Sequence, residues 1–135
     1  KKDFPHVDDV SFDNLISNSD IISFHCKAAA DGKPLITKEH YKKMKPTAYI
    51  INAARGNIVD EKDLNEALNE NLIAGAALDV YSKEPAKENV LFNNPKAILT
   101  PHIAASTTEA SIVVAEMVAN QISDFLLNGV KINTV

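Results

Sequence analysis

Four short apolar runs, each followed by a stretch of helical spacing, set the pattern of this chain. Ile21 to Cys26 is the first run, Tyr49-Ile50-Ile51-Asn52 the second, Ile73 to Val80 the third, and Ala97 to Thr100 the fourth, closed by Pro101. Runs of this length, bounded by turn-forming residues, predict strands buried in a parallel sheet. The stretches between them carry helix start signals. Ser11 is placed to cap a short helix through Asn18, and Thr37 to cap a second that ends before Pro46. Asp60, with Asp63 three positions on, opens a third that puts Leu64, Ala67 and Leu68 on one face. This alternation predicts a layered α/β arrangement. In the third run Ala74, Gly75, Ala76 and Ala77 leave little side chain in the way of a helix or ligand approaching the sheet.

The last element has the clearest signal. Ser106-Thr107-Thr108-Glu109 reads as a capping box, Ala110, Val113, Val114, Met117, Val118 and Phe125 recur at three and four spacing, and Gly129 suits the left-handed position after a helix. A helix of about 22 residues, on the order of 33 Å long, follows. Its expected role is core packing.

Composition narrows the function classes. The chain has 135 residues, 45% hydrophobic, with 14 Lys and Arg against 18 Asp and Glu and a net charge of −4. No basic excess marks a nucleic-acid footprint. The longest uncharged stretch, Ala97 to Thr108, is about half of what a spanning helix needs, so no membrane segment is expected. Cys26 is alone, and the sequence has no Asn-x-Ser/Thr sequon and no signal sequence, which together predict a cytoplasmic protein. The start at Lys1-Lys2-Asp3-Phe4, without Met, points to a piece of something longer. The only glycines are Gly32, Gly56, Gly75 and Gly129, so neither a G-x-G-x-x-G turn nor a P-loop can form.

Active-site residues of a parallel α/β sheet gather beyond the carboxyl ends of its strands. There the sequence places His25-Cys26, Ala53-Ala54-Arg55-Gly56, Asp79 with Glu84, and His102. An Arg fork, an imidazole and a carboxylate to orient it suit an anionic substrate and proton transfer. Each also has a structural reading alone: a surface ion pair for Arg55, a solvated loop for Glu84, a cap for His102. His25 either lines a ligand or fills the strand end. Asp60 and Glu61 are explained as charges at a helix N-terminus.

Three ordered motifs go further: Asn52-Ala53-Ala54-Arg55-Gly56-Asn57-Ile58-Val59-Asp60-Glu61, then Ala76-Ala77-Leu78-Asp79-Val80 with Glu84-Pro85, then Thr100-Pro101-His102-Ile103-Ala104. Together they resemble the D-isomer-specific 2-hydroxyacid dehydrogenases, and Pro101 to Thr107 is most similar to their phosphoglycerate dehydrogenase branch. The resemblance implies a Rossmann-like doubly wound parallel sheet, present as a partial domain. Residues 1–135 would be the C-terminal portion of the dinucleotide-binding domain, without its glycine-rich half or the substrate domain. It further implies an NAD-dependent enzyme that passes a hydride between nicotinamide and a D-2-hydroxy or 2-keto acid, with 3-phosphoglycerate, and so serine biosynthesis, the first case to test. The full-length protein would be a homodimer.

In that reading His102 is the base, Glu84 its carboxylate partner and Arg55 the substrate-carboxylate ligand, which also borders the cofactor. Asp79 would accept a hydrogen bond from the nicotinamide carboxamide. Cys26, Ala53, Ala54, His102, Ile103, Ala104 and Ala105 would line nicotinamide and ribose. The alternative is a nucleotide-sensing, corepressor-like protein of the same fold without turnover. In the order 3-2-1-4-5-6 the four strands would be the third to sixth, so a gap two strands wide isolates the first, and the segment is expected not to fold alone.

Overall fold

The computed structural model describes residues 5–133, and the chain divides into two compact units, Lys1–His102 and Ile103–Val135. In the first unit the four apolar runs form four strands: β1 (Ile21–Phe24), β2 (Tyr49–Asn52), β3 (Gly75–Leu78) and β4 (Ala97–Leu99). They make one sheet in the order β1-β2-β3-β4, with every pair parallel. The ladder is continuous across the sheet: Ile22 lies opposite Ile50, Ile50 opposite Ala76, and Ala76 opposite Ala97.

This corrects the expected strand order. No gap isolates the first strand, and the reason for expecting that the segment cannot fold alone disappears with it. The run is one flank of a doubly wound sheet, where successive strands are added outward from the switch point as neighbours.

Local chemistry sets the connections. In helix α1 (Phe12–Asn18), Ser11 caps as expected, its hydroxyl accepting from the Asn14 amide. Helix α2 is a single turn, Lys38–Tyr41, where the Thr37 amide donates to His40 Nδ1 at 3.1 Å. Helix α3 (Glu61–Asn69) is capped by Asp60, whose carboxylate accepts from the Lys62 and Asp63 amides. Its Leu64, Ala67 and Leu68 are buried, as their spacing requires.

The core lies on one face of the sheet, where Ile22, Phe24, Ile50, Ala76 and Leu78 meet Ile16, Ile36, Tyr41, Leu64, Leu68 and Leu91. On the other face Ile21, Tyr49 and Ile98 are exposed. β3 is shorter than its apolar run because regular pairing with β2 is confined to Gly75–Leu78, although Ile73 and Val80 are buried.

The second unit contains helix α4 (Thr108–Asn128), ended by Gly129 at φ 66°. Two expectations fail here. The cap is Thr107, whose hydroxyl accepts from the Ala110 amide, so the start is one residue later than the Ser106 box predicts. No residue of α4 is buried, because its own unit offers no second layer to receive its apolar side chains. By length and composition α4 is also apolar enough to cross a membrane, contrary to the estimate from uncharged runs. Core helices of soluble proteins have the same length and composition.

Candidate functional site

The carboxyl edge of the sheet brings together three of the predicted residues. β2 ends at Asn52, which is fully buried, and its side chain builds the turn that follows: Oδ1 accepts from the Ala54 amide at 3.1 Å and Nδ2 donates to the Arg55 carbonyl at 2.9 Å. Arg55 leaves that turn with an exposed guanidinium, one nitrogen of which donates to the Ala54 carbonyl at 2.7 Å. In the sequence Asn52 belongs to the second apolar run and the first motif but has no task of its own. Its signal was a polar residue at an inward position of an alternating strand, and such groups are retained when they are hydrogen-bonded. Asn52→Ala should lower unfolding free energy by about 1–3 kcal/mol, read as a shift in the urea midpoint.

A 3-10 turn at Gly56–Ile58 packs beneath the segment after β3. A side chain at position 56 would collide with the Tyr81 carbonyl, so the two backbones approach only because residue 56 is glycine. Tyr81 is buried and anchors its segment to the next strand end, donating its hydroxyl to the Thr100 carbonyl at 3.0 Å. Burial, with Asp79, Glu61 and Glu84 nearby, pushes its phenol pKa up, which keeps it a donor. Asp79 is buried, and the Thr100 hydroxyl donates to its Oδ1 at 2.5 Å.

Glu84 and His102 meet across this frame. Glu84 Oε1 accepts from the Tyr81 amide at 2.9 Å, and Oε2 lies 2.6 Å from His102 Nδ1. The His102 contact, then the Tyr81 amide, hold the Glu84 carboxyl below its usual range. A depressed carboxylate pKa favours the folded state above the ordinary value of 4.5, and that contribution fades as pH falls through the lowered one. His102 has φ 56°, a left-handed conformation uncommon for residues other than glycine and concentrated at functional sites.

Two cavities share Tyr81, Glu84 and His102. One, of about 460 Å³, is lined also by Arg55, Gly56, Asn57 and Ala28; the other, of about 490 Å³, has the apolar walls Pro85, Ala86, Phe92 and Leu99. Both are within the usual size range of small-molecule sites, roughly 300–1,000 Å³.

The remaining predicted residues are less concentrated. Cys26 is exposed and lies with Ser23, Phe24, His25 and Leu35 along a separate groove beyond β1. His25 Nε2 is 3.0 Å from the Ser23 hydroxyl. Ala53 is exposed, and Ala54 packs partly on the core. Ile103, Ala104 and Ala105 open the second unit, where the Ile103 carbonyl accepts from the Ser106 amide and Ala105 borders a groove along α4. Among the described residues no group of His, Cys, Asp and Glu could hold a metal ion.

The sequence and the fold are similar to those of known proteins. The profile of the D-isomer specific 2-hydroxyacid dehydrogenase NAD binding domain matches residues 1–104. The D-3-phosphoglycerate dehydrogenase of Synechocystis is 48% identical over 118 residues, which cover 87% of this chain and 21% of that protein. A glyoxylate reductase from Paecilomyes thermophila superposes with a TM-score of 0.82 at 37% identity, covering 91% of this chain and 38% of that one. A D-lactate dehydrogenase with NAD+ from Lactobacillus jensenii gives 0.79 at 31% identity, covering 93% and 42%. The chain therefore spans less than half the length of these relatives. Its parallel sheet, its three motifs and the matched profile make it a member of the D-isomer specific 2-hydroxyacid dehydrogenase family, as part of the NAD-binding domain.

Proposed function

We propose that this chain is the nicotinamide-side and catalytic portion of an NAD-dependent D-2-hydroxyacid dehydrogenase. The observation that carries this reading is the His102–Glu84 pair, held at 2.6 Å on a cavity that Arg55 also lines. Oxidation of a 2-hydroxy acid removes the hydroxyl proton while the electron pair of the C2–H bond leaves, forming the keto group. Bound NAD supplies the hydride acceptor.

Each residue has a matching task. Glu84 engages Nδ1, so proton exchange with the substrate oxygen falls to Nε2 of His102. A carboxylate beside the ring favours the imidazolium formed when the proton arrives, and in the reductive direction the same proton returns to the keto oxygen. Arg55 offers a planar fork to the substrate carboxylate. The residues present fit the nicotinamide end of the cofactor: the small residues Ala28 and Gly56 leave room in the cavity, and Asp79 supplies a carboxylate after β3.

The similarity to D-3-phosphoglycerate dehydrogenase supports 3-phosphoglycerate as the first substrate to test. NADH formation by the full-length protein, measured over a panel of D-2-hydroxy acids, decides the reading; cofactor binding without turnover of any acid would overturn it. Arg55→Lys should raise KM roughly tenfold, the cost of about 1.4 kcal/mol of lost bidentate contact, with a smaller change in kcat. Equal losses in kcat and kcat/KM would instead assign Arg55 to the transition state alone.

A further inference from the structure

We propose that Glu61 is a positioning residue for the His102–Glu84 pair, acting through the peptide that joins Tyr81 to Ser82. As the first residue of α3, Glu61 has the place of a helix-terminal charge, yet Asp60 already accepts from the Lys62 and Asp63 amides. The Glu61 carboxylate is used elsewhere. Its Oε1 accepts from the Ser82 amide at 2.6 Å, and its Oε2 accepts from the Ser82 hydroxyl at 3.0 Å and from Asn89 Nδ2 at 2.8 Å.

The Ser82 N–H and the Tyr81 C=O belong to one peptide plane. Glu61 holds the N–H end, and the carbonyl end rests against Gly56, where even a Cβ would collide. A plane fixed at both ends cannot rotate. The next amide back, that of Tyr81, donates to Glu84 Oε1, and the other oxygen of Glu84 meets His102. Asn89 extends the clamp to the far end of the same loop, with its Oδ1 accepting from the Leu91 amide. Glu61 thus ties the start of α3 to the loop that presents Glu84. Small misplacements at such sites cost on the order of 10²-fold in rate.

The turnover part of the test rests on the dehydrogenase reading above; the titration part does not. In the full-length protein, the titration of Glu84 is followed by carboxyl carbon NMR in wild type, Glu61→Ala, Glu61→Gln and the double variant Glu61→Gln with Asn89→Asp. The groups facing Glu84 are His102, Asp79 and the Tyr81 amide. Loss of a nearby negative charge alone would lower the Glu84 midpoint, whereas loss of its hydrogen-bonded position raises it. Glu61→Ala should therefore raise it toward the ordinary carboxylate value and lower kcat by tenfold or more.

Glu61→Gln keeps an acceptor for the Ser82 amide but turns an NH₂ group toward the Asn89 amide. Asn89→Asp reverses that clash, since its carboxylate accepts from Gln and keeps an oxygen for Leu91. The double variant should return both the midpoint and kcat to near wild type. A midpoint that stays put or falls in Glu61→Ala, or a double variant no closer to wild type than Glu61→Gln, overturns the proposal. If Glu61→Ala fails to fold, the comparison of the Gln variants decides alone. Restored titration in a protein with no turnover of any acid would leave the positioning role standing and remove the dehydrogenase reading.

Discussion

Replacing His102 by Asn should lower kcat of the full-length protein by a factor on the order of 10² to 10⁴, the usual share of a general base. Asn is the informative substitution because the backbone at this position has φ 56°. Asn tolerates the left-handed region better than most residues, so the ring is removed with little added strain. On the proposed role of His102 as the base, the loss should appear in kcat and kcat/KM together, because proton transfer then belongs to the transition state and not to binding. Wild-type kcat in His102→Asn, with cofactor affinity retained, would remove His102 from the chemistry. An unchanged thermal midpoint alongside the lost rate would separate catalysis from folding.

The second large effect is expected in stability. Gly56→Ala adds one methyl group where it would strike the Tyr81 carbonyl and crowd the Ser82 amide. These are backbone atoms, and they cannot swing aside as the end of a side chain can. Either the 3-10 turn or the Tyr81–Ser82 peptide must move, at a cost of about 3 kcal/mol or more by the standard of overpacked interiors. Because that peptide also leads to Glu84, the variant should lose activity at temperatures where it is still folded. Gly129→Ala is the natural contrast. Gly129 has φ 66°, but a Cβ there meets nothing within 4 Å, so its cost is limited to backbone conformation, about 1 kcal/mol. A urea melt in which Gly56→Ala is no worse than Gly129→Ala would count against the close approach.

Several elements were legible in the residues themselves. Ser11 and Asp60 cap the helices they were expected to cap, because capping is a contact between a side chain and amides two or three positions away. The four strands stand where the apolar runs stand, since a strand buried in a parallel sheet needs nothing more than such a run. The one-residue shift from Ser106 to Thr107 arises because neighbouring hydroxyl residues can each cap a helix, Thr107 taking the Ala110 amide. The order of strands could not be read in this way. Adjacency is decided by where each crossover returns, and the residue pattern is the same for any neighbour.

The candidate site divides along the same line. Arg55, Glu84 and His102 are separated by 29 and 18 positions, and their places after the strands and in the motifs marked them. Asn52, Glu61 and Thr100 stand in the same motifs and Tyr81 directly follows one, but nothing local shows that their hydrogen bonds build the frame. Glu61 was assigned to the helix terminus because local spacing reveals local partners. Its actual partners, Ser82 and Asn89, lie 21 and 28 positions away.

What the sequence determined by itself was therefore whatever acts over a few residues: the caps, the strands, the apolar face of α3, and the chemistry of the motifs. Only the tertiary structure decided that β1 is the direct neighbour of β2, that Glu84 lies 2.6 Å from His102, and that one peptide is clamped between Gly56 and Glu61. The physical reason is range. Propensity and capping are set by neighbours along the chain, whereas these contacts join residues brought together by burial of the shared core, and no local preference encodes them.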